Sequence, residues 1–331
     1  MGRRITLFFQ TLCFMFVLTA CGAASGRDSD VEPLSVVATT GIIADVAQQV
    51  AGDHLAIRAL IPPDSDLHGF QPTPRDVATI SGADLLFVNG LGLETFLQPL
   101  LDQADSHAQI IDLSKGITPQ GAVHDDADAA HDDADHNDPT ATNGEVAAHD
   151  DEHEHGEFDP HLWLDPTNVA HWADAIAAAL ADADPTHADD YRANADRYQA
   201  ELATLDRWIA AQIETIPVDQ RKLVVDHQAL SYYAAHYDLT QVGTLVEGIS
   251  TMAEPSAAAL ATLQQQMMAE DVRAIFVSHT VNPQVAQSIA NDLGLQVIPI
   301  YTGSLTPPDG EAPTYLTMMR YNTEAIVEAL R

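Results

Sequence analysis

Three histidines stand where side chains can be aimed at a shared point. His68 closes the run Pro62-Pro63-Asp64-Ser65-Asp66-Leu67-His68. His161 sits inside Asp159-Pro160-His161-Leu162-Trp163-Leu164-Asp165-Pro166, and His227 directly follows the strand-like run Leu223-Val224-Val225-Asp226. A neutral imidazole is the commonest protein ligand of transition metals. Three of them meeting at one place would hold a divalent ion and leave one coordination position over. Two Asp-Pro turns bracket His161 together with an aromatic and two leucines, which should hold its imidazole on a stiff, partly buried loop. Taken singly, each of the three is equally a surface residue or a helix cap. His54, His107, His171, His187 and His236 fall on helix faces or polar turns and read as solvated or structural.

What joins the three is the set of elements that precede them. Short β-rich runs at 34–39, 55–61, 85–89 and 110–113 alternate with helical patterns at 41–50, 73–80 and 95–102. Helical spacing resumes at 168–183 and again at 185–216, where Tyr191, Tyr198, Leu202, Leu205, Trp208, Ile209 and Ile213 share a face and no proline intervenes before Pro217. A second alternation follows, with strands at 223–226, 240–245, 274–278 and 296–300 and helices at 230–237, 256–269, 283–293 and 315–330. The pattern predicts an α/β fold of two lobes, each a mostly parallel sheet flanked by helices. One long helix, 185–216, about 45 Å at 1.5 Å per residue, joins them. The first lobe is expected over 34–184 and the second over 217–331. Open α/β sheets bind ligands beyond the carboxyl ends of their strands. Two of the histidines come from the first lobe and one from the second, which suits a site in the cleft between lobes. A rigid connecting helix makes a poor hinge, so large closure motions are not expected.

Composition narrows the partners. The 331 residues carry 49 Asp+Glu against 14 Lys+Arg, a formal net charge of −35, so phosphate backbones are repelled and nucleic acid is excluded as a partner. Two cysteines rule out a disulfide framework. Residues 121–157 concentrate 13 of the acidic residues and six of the 15 histidines, with the repeat His124-Asp-Asp-Ala-Asp and His131-Asp-Asp-Ala-Asp. Such a stretch buries too little apolar surface to offset its ordering entropy and is expected to be a disordered loop. It reads either as a weak surface collector of cations or as a solvated insertion. At the N-terminus, Arg3 and Arg4 precede an apolar run from Ile5 to Val17, the pattern of a signal peptide over 1–20. Leu18-Thr19-Ala20-Cys21 is similar to a bacterial lipobox, in which Cys21 would be lipidated. Residues 21–33 would then tether an extracytoplasmic protein to the cell membrane.

Several segments together resemble one family. Pro62 to Asp76, Asp159 to Pro166, His227-Gln-Ala-Leu-Ser-Tyr-Tyr-Ala-Ala-His-Tyr-Asp-Leu239, Ile249-Ser-Thr-Met-Ala-Glu-Pro-Ser256 and Phe276-Val-Ser-His-Thr-Val-Asn-Pro283 each look like a motif of the zinc- and manganese-binding lipoproteins that serve ABC importers. These are the cluster A-I or cluster 9 solute-binding proteins. The resemblance runs through nearly the whole mature chain, and Asp-Pro-His-x-Trp-Leu-Asp-Pro is its most specific part. It implies two α/β lobes joined by a backbone helix, metal ligands at His68, His161 and His227, and an ABC permease as partner of a monomeric binding protein. The family usually places an acidic fourth ligand in the loop after the last strand, where this chain has Gly303. Water or another residue must then take that place. His279, at the end of strand 274–278, is the first candidate, followed by Asp64, Asp66 and Asp309.

Three imidazoles favour Zn²⁺ over the more oxygen-seeking Mn²⁺. Manganese-type relatives tend to have a carboxylate where this chain has His227. The expected function is therefore capture of Zn²⁺ in the cleft and delivery to a permease, without catalysis. The alternatives are a zinc hydrolase or hydratase using an open fourth position, against which no His-Glu-x-x-His base motif appears, and a surface adhesin with a metal site.

Overall fold

The structure is a computed structural model, and it describes residues 34–121 and 158–331. The expected signal peptide, Cys21 with its tether, and residues 122–157 of the acidic stretch lie outside the described residues. The first lobe comprises β1 (Val36–Ala38), α1 (Gly41–Ala51), β2 (Ile57–Ala59), α2 (Pro74–Ser81), β3 (Leu85–Val88), α3 (Leu97–Ala104), β4 (Gln109–Asp112) and α4 (Pro166–Ala183). A 3₁₀ turn at Pro185–His187 leads into α5 (Ala188–Ile213). The second lobe comprises β5 (Lys222–Val225), α6 (Ser231–His236), β6 (Thr240–Thr244), α7 (Ala257–Ala269), β7 (Ala274–Ser278), α8 (Gln284–Leu293), β8 (Gln296–Ile300) and α9 (Tyr315–Leu330). The order of elements is the one expected from the sequence.

Each lobe holds a four-stranded sheet, ordered β2-β1-β3-β4 and β6-β5-β7-β8, and every strand pair is parallel. The chain reverses direction across each sheet between β1 and β3, and again between β5 and β7. Such switch points leave a crevice beyond the carboxyl ends of the strands.

Alternation along the strands divides the interior into layers. In β3, Leu85 and Phe87 face a large central core, whereas Leu86 and Val88 face a smaller one with Ile80 of α2 and Leu100 of α3. In β7, Ala274 and Phe276 join the central core, and Ile275 and Val277 pack with Leu263 of α7 and Ile289 of α8. The central core is common to both lobes. It includes Ile42 and Val46 of α1, Trp172 and Ile176 of α4, Tyr191, Tyr198, Leu202 and Ile209 of α5, and Met318 and Ile326 of α9. The long helix is thus a shared wall of both halves. Its 26 residues span about 39 Å at 1.5 Å per residue, somewhat less than the expected rod. The shortening has two local causes: the segment opens as a 3₁₀ turn at Pro185, and the α-helix stops four residues before Pro217.

Local chemistry starts and stops the helices that matter for the cleft. Asp165 caps α4 by accepting from Thr167 N, with Pro166 at the first helical position, where its missing N–H is no loss. Thr314 caps α9 by accepting from Thr317 N. Asp45 of α1 reaches across to accept from Tyr315 N at 2.8 Å, joining the first lobe to the start of the last helix.

Candidate metal centre

His161 is the most heavily fixed of the three histidines. Its loop begins beside an antiparallel bridge between Gly121 and Phe158, and Asp159 N donates to Gln120 O. Asn89 Nδ2 donates to Pro160 O at 2.9 Å, and Tyr232 Oη donates to Asp159 O at 2.9 Å. Downstream, Leu162–Leu164 forms a buried 3₁₀ turn. There Trp163 Nε1 donates to Thr302 O at 2.7 Å, and Tyr315 Oη donates to Trp163 O at 2.7 Å. Asp159 itself turns back on the histidine, accepting from His161 N at 3.0 Å and sitting 2.7 Å from His161 Nδ1.

The other two histidines sit on shorter supports. His68 lies in an Asx turn, its N–H donating to Asp66 Oδ1 at 3.0 Å. The same loop is attached to the second lobe by Asp64 N donating to Leu305 O at 3.2 Å. His227 follows the end of β5. Asp226 before it donates its N–H to Phe276 O and accepts Ser278 N at Oδ2, 3.1 Å away. Asp226 Oδ1 and His227 Nδ1 face each other at 3.2 Å, both buried and with no other hydrogen-bond partner.

These supports bring the three imidazoles together. His68 Nε2 lies 3.2 Å from His161 Nε2, and His227 Nε2 lies 3.3 Å from the same atom. Among the described residues, this is the group of histidine, cysteine and carboxylate ligand atoms gathered closely enough to hold a metal ion, all within 4.8 Å of one another. The rings meet edge to face, and the space they enclose is about 10 Å³, lined also by Ser65, Asp66, Leu67, Thr251, Thr280, Thr302 and Gly303. That is about the room one water molecule needs.

Electrostatics prepare the rings as ligands. Burial pushes the His68 imidazole down to about 2, helped by the neighbouring His161 and His227. Burial also lowers His161, against the opposing charge and hydrogen bond of Asp159. Both rings are therefore neutral at physiological pH, with lone pairs available. For Asp226, burial favours the acid form, but His227 and the bonds from Ser278 outweigh it and hold the carboxyl below its usual range.

His279, expected from the sequence as first candidate for a fourth ligand, stands outside the group. Alternation explains its position. Ser278 faces inward, its Oγ 2.7 Å from Thr302 Oγ1, and Thr280 lines the cavity. His279 between them turns the other way, exposed, with its ring centroid 5.0 Å from that of Tyr301. Asp64 and Asp309 do not line the cavity, and Asp66 lines it but is not a member of the close group. Gly303 does line it. A Cβ there would meet Leu67 Cδ1 at 3.0 Å, so Leu67 fills the space into which a side chain at 303 would extend. The sequence reading missed the orienting role of Asp159 and Asp226. Their signal was present, since each lies one or two residues before a candidate ligand.

Comparison with known proteins agrees with the architecture. The family described as zinc-uptake complex component A, periplasmic, matches residues 36–329. A manganese-binding lipoprotein, MntA, of Halalkalibacterium halodurans is 29% identical over 330 residues, covering 99% of each chain. The Mn-bound periplasmic metal binding protein of Candidatus Liberibacter asiaticus superposes with a TM-score of 0.73 at 26% identity, covering 89% of this chain and 99% of that one. The periplasmic zinc binding protein TroA of Treponema pallidum shares the fold with a TM-score of 0.74 at 23% identity, covering 90% and 99% of the two chains.

Proposed function

The chain belongs to the zinc-uptake complex component A family, and from that membership we propose that it captures Zn²⁺ between its lobes and delivers it to an ABC permease. His68, His161 and His227 are the ligands in this reading, each through Nε2. The carrying observation is the 3.2 and 3.3 Å spacing of those nitrogens. Four tetrahedral ligands at zinc–nitrogen distances of about 2.0–2.1 Å stand about 3.3 Å from one another. The Nδ1 atoms of His161 and His227 face Asp159 and Asp226, the carboxylate–histidine arrangement that orients an imidazole and raises its basicity. Water takes the fourth position, in the space that Ser65, Thr280 and Thr302 help to line, and His279 stands apart from it.

Manganese is the competing cargo, because several relatives of this chain, MntA among them, are named for it. The donor set supports zinc instead: among the described residues three imidazoles and no carboxylate oxygen form the close group, whereas manganese prefers oxygen. The small space at the imidazoles, about 10 Å³, suits a single ion and supports binding over hydrolysis. Lipid at Cys21 would anchor the protein outside the cytoplasmic membrane. Among the described residues no helix is long and apolar enough to cross a membrane. The acidic stretch 121–157 would add weaker surface sites.

Calorimetric titration of the full chain with Zn²⁺, alone and against Mn²⁺, tests the proposal. One tight zinc site should appear above any weak ones. In His161→Ala its affinity should fall by more than the 10–100-fold typical of outer-shell losses, with circular dichroism unchanged. A tight site that survives His161→Ala, or that prefers Mn²⁺, would overturn the ligand set or the cargo.

A further inference from the structure

One hydrogen bond at the rim of the cleft ties the lobes together beside the imidazoles. Thr251 Oγ1 donates to Asp66 Oδ2 at 2.6 Å, between side chains 185 residues apart in sequence. The other oxygen of Asp66 accepts the backbone N–H of His68. A single carboxylate therefore connects a hydroxyl of the second lobe to the backbone of a candidate ligand in the first. Both side chains line the same cavity as the three histidines.

The remaining walls are held differently. The loop of His161 is pinned by buried bonds from Asn89, Tyr232 and Trp163. The turn at His227 is pinned by Asp226 to Ser278, by Val246 N to Asp226 O and by Gln228 N to Gly248 O. Thr251, by contrast, belongs to the segment between β6 and α7, which contains no helix or strand. Next to it, Met252 is 64% exposed. Among the described residues, the bond to Asp66 is the side-chain hydrogen bond that ties this segment to the first lobe. The space beside the imidazoles is about 10 Å³, and this is the part of its wall with the lightest attachment.

We propose that Asp66 is the positioning residue through which the second lobe holds His68 in place, and that the ion is exchanged through the rim that the Asp66–Thr251 bond closes. The inference rests on the reading of the three histidines as the zinc site. While the bond stands, His68 is fixed from both lobes and the ion is retained. When it breaks, the 249–256 segment moves outward and His68 loses the anchor of its turn, so the ligand held least firmly lets go first.

The test is the rate of zinc release from the full chain into excess chelator, followed by stopped flow. Thr251→Val removes the donor while keeping the side-chain shape, and should release tightly bound zinc about tenfold faster, the factor expected for a hydrogen bond to a charged group. Thr251→Ser keeps the hydroxyl and should restore the slow rate. Asp66→Asn, which removes the charge, should accelerate release as well. The melting temperature of the metal-free protein should not change in any of the three, which separates positioning from general destabilisation. Wild-type release from Thr251→Val with its tight site intact would overturn this inference alone. Absence of a tight site dependent on His161 in the unmutated chain would overturn the ligand reading, and this inference with it.

Discussion

At the scale of single residues, two aspartates hold the ring nitrogens of the histidines they face. Asp159 Oδ1 lies 2.7 Å from His161 Nδ1, which keeps the ring proton on that nitrogen and leaves Nε2 bare toward the cleft. Asp159→Asn removes the charge that opposes the burial of His161. It should weaken zinc binding about 10–100-fold, measured by competition with a chelator of known affinity, while the fold and the one-to-one stoichiometry persist. The convergence of the histidines was legible in the sequence because strand ends border the crevice and because the motif around His161 is specific. Asp159 was read as a turn residue and Asp226 as the end of a strand, since spacing alone does not reveal which way a carboxylate points. His279 shows the same limit from the other side. Its place at a strand end was correctly read, but whether it faces the cleft depends on a parity of side-chain alternation that the sequence leaves open by one residue.

At the scale of elements, a histidine outside the cleft joins three helices. His236 of α6 lies 3.1 Å from Asp165, the cap of α4, and 2.8 Å from Asp206 of α5. The hydrogen bond that His236 donates to Asp165 and the charges of both aspartates raise His236 from 6.5 to about 9, against the opposing effect of its partial burial. A raised basic group contributes stability that is fully present below its unfolded value, near 6.5, and is lost as pH rises through about 9. Asp165 is held below its usual 3.8: its burial favours the acid form, but the bonds from His236 and Thr167 outweigh it. Its own contribution is therefore lost only in acid. His236→Gln should accordingly lower the melting temperature most between about pH 4 and 6.5, and the difference from wild type should close by about pH 10. Thermal melts across that range check the sign: a gap that widens in alkali would refute it. The elements themselves were legible almost throughout, because periodicity registers burial on one face or two. Their ends were less so. The rod expected over 185–216 begins in a 3₁₀ turn and its α-helix stops at Ile213, since capping geometry and proline placement, more than periodicity, decide where a helix starts and stops.

At the scale of the whole molecule, the two sheets share one core. Residues of α1, α4, α5 and α9 fill the space between them, and Trp163 and Tyr315 carry hydrogen bonds through the middle of it. Swinging the lobes apart would expose this apolar surface and break those bonds together, at a cost far above that of moving one rim segment. Small-angle scattering should therefore give the same radius of gyration with and without zinc. A measurable compaction on binding would show that the lobes move as bodies. The shared core was the least legible part of the fold, since a sequence shows which faces are apolar but not which of them are pooled.

The three imidazoles are divided two to one between the halves, and that division acts as a logical conjunction. Neither half holds more than two of the nitrogens, so the group of three forms only when both have reached their native form and have met in register. In the zinc reading, occupancy would then be a certificate of assembly: a chain with one half misfolded would present an incomplete set of donors.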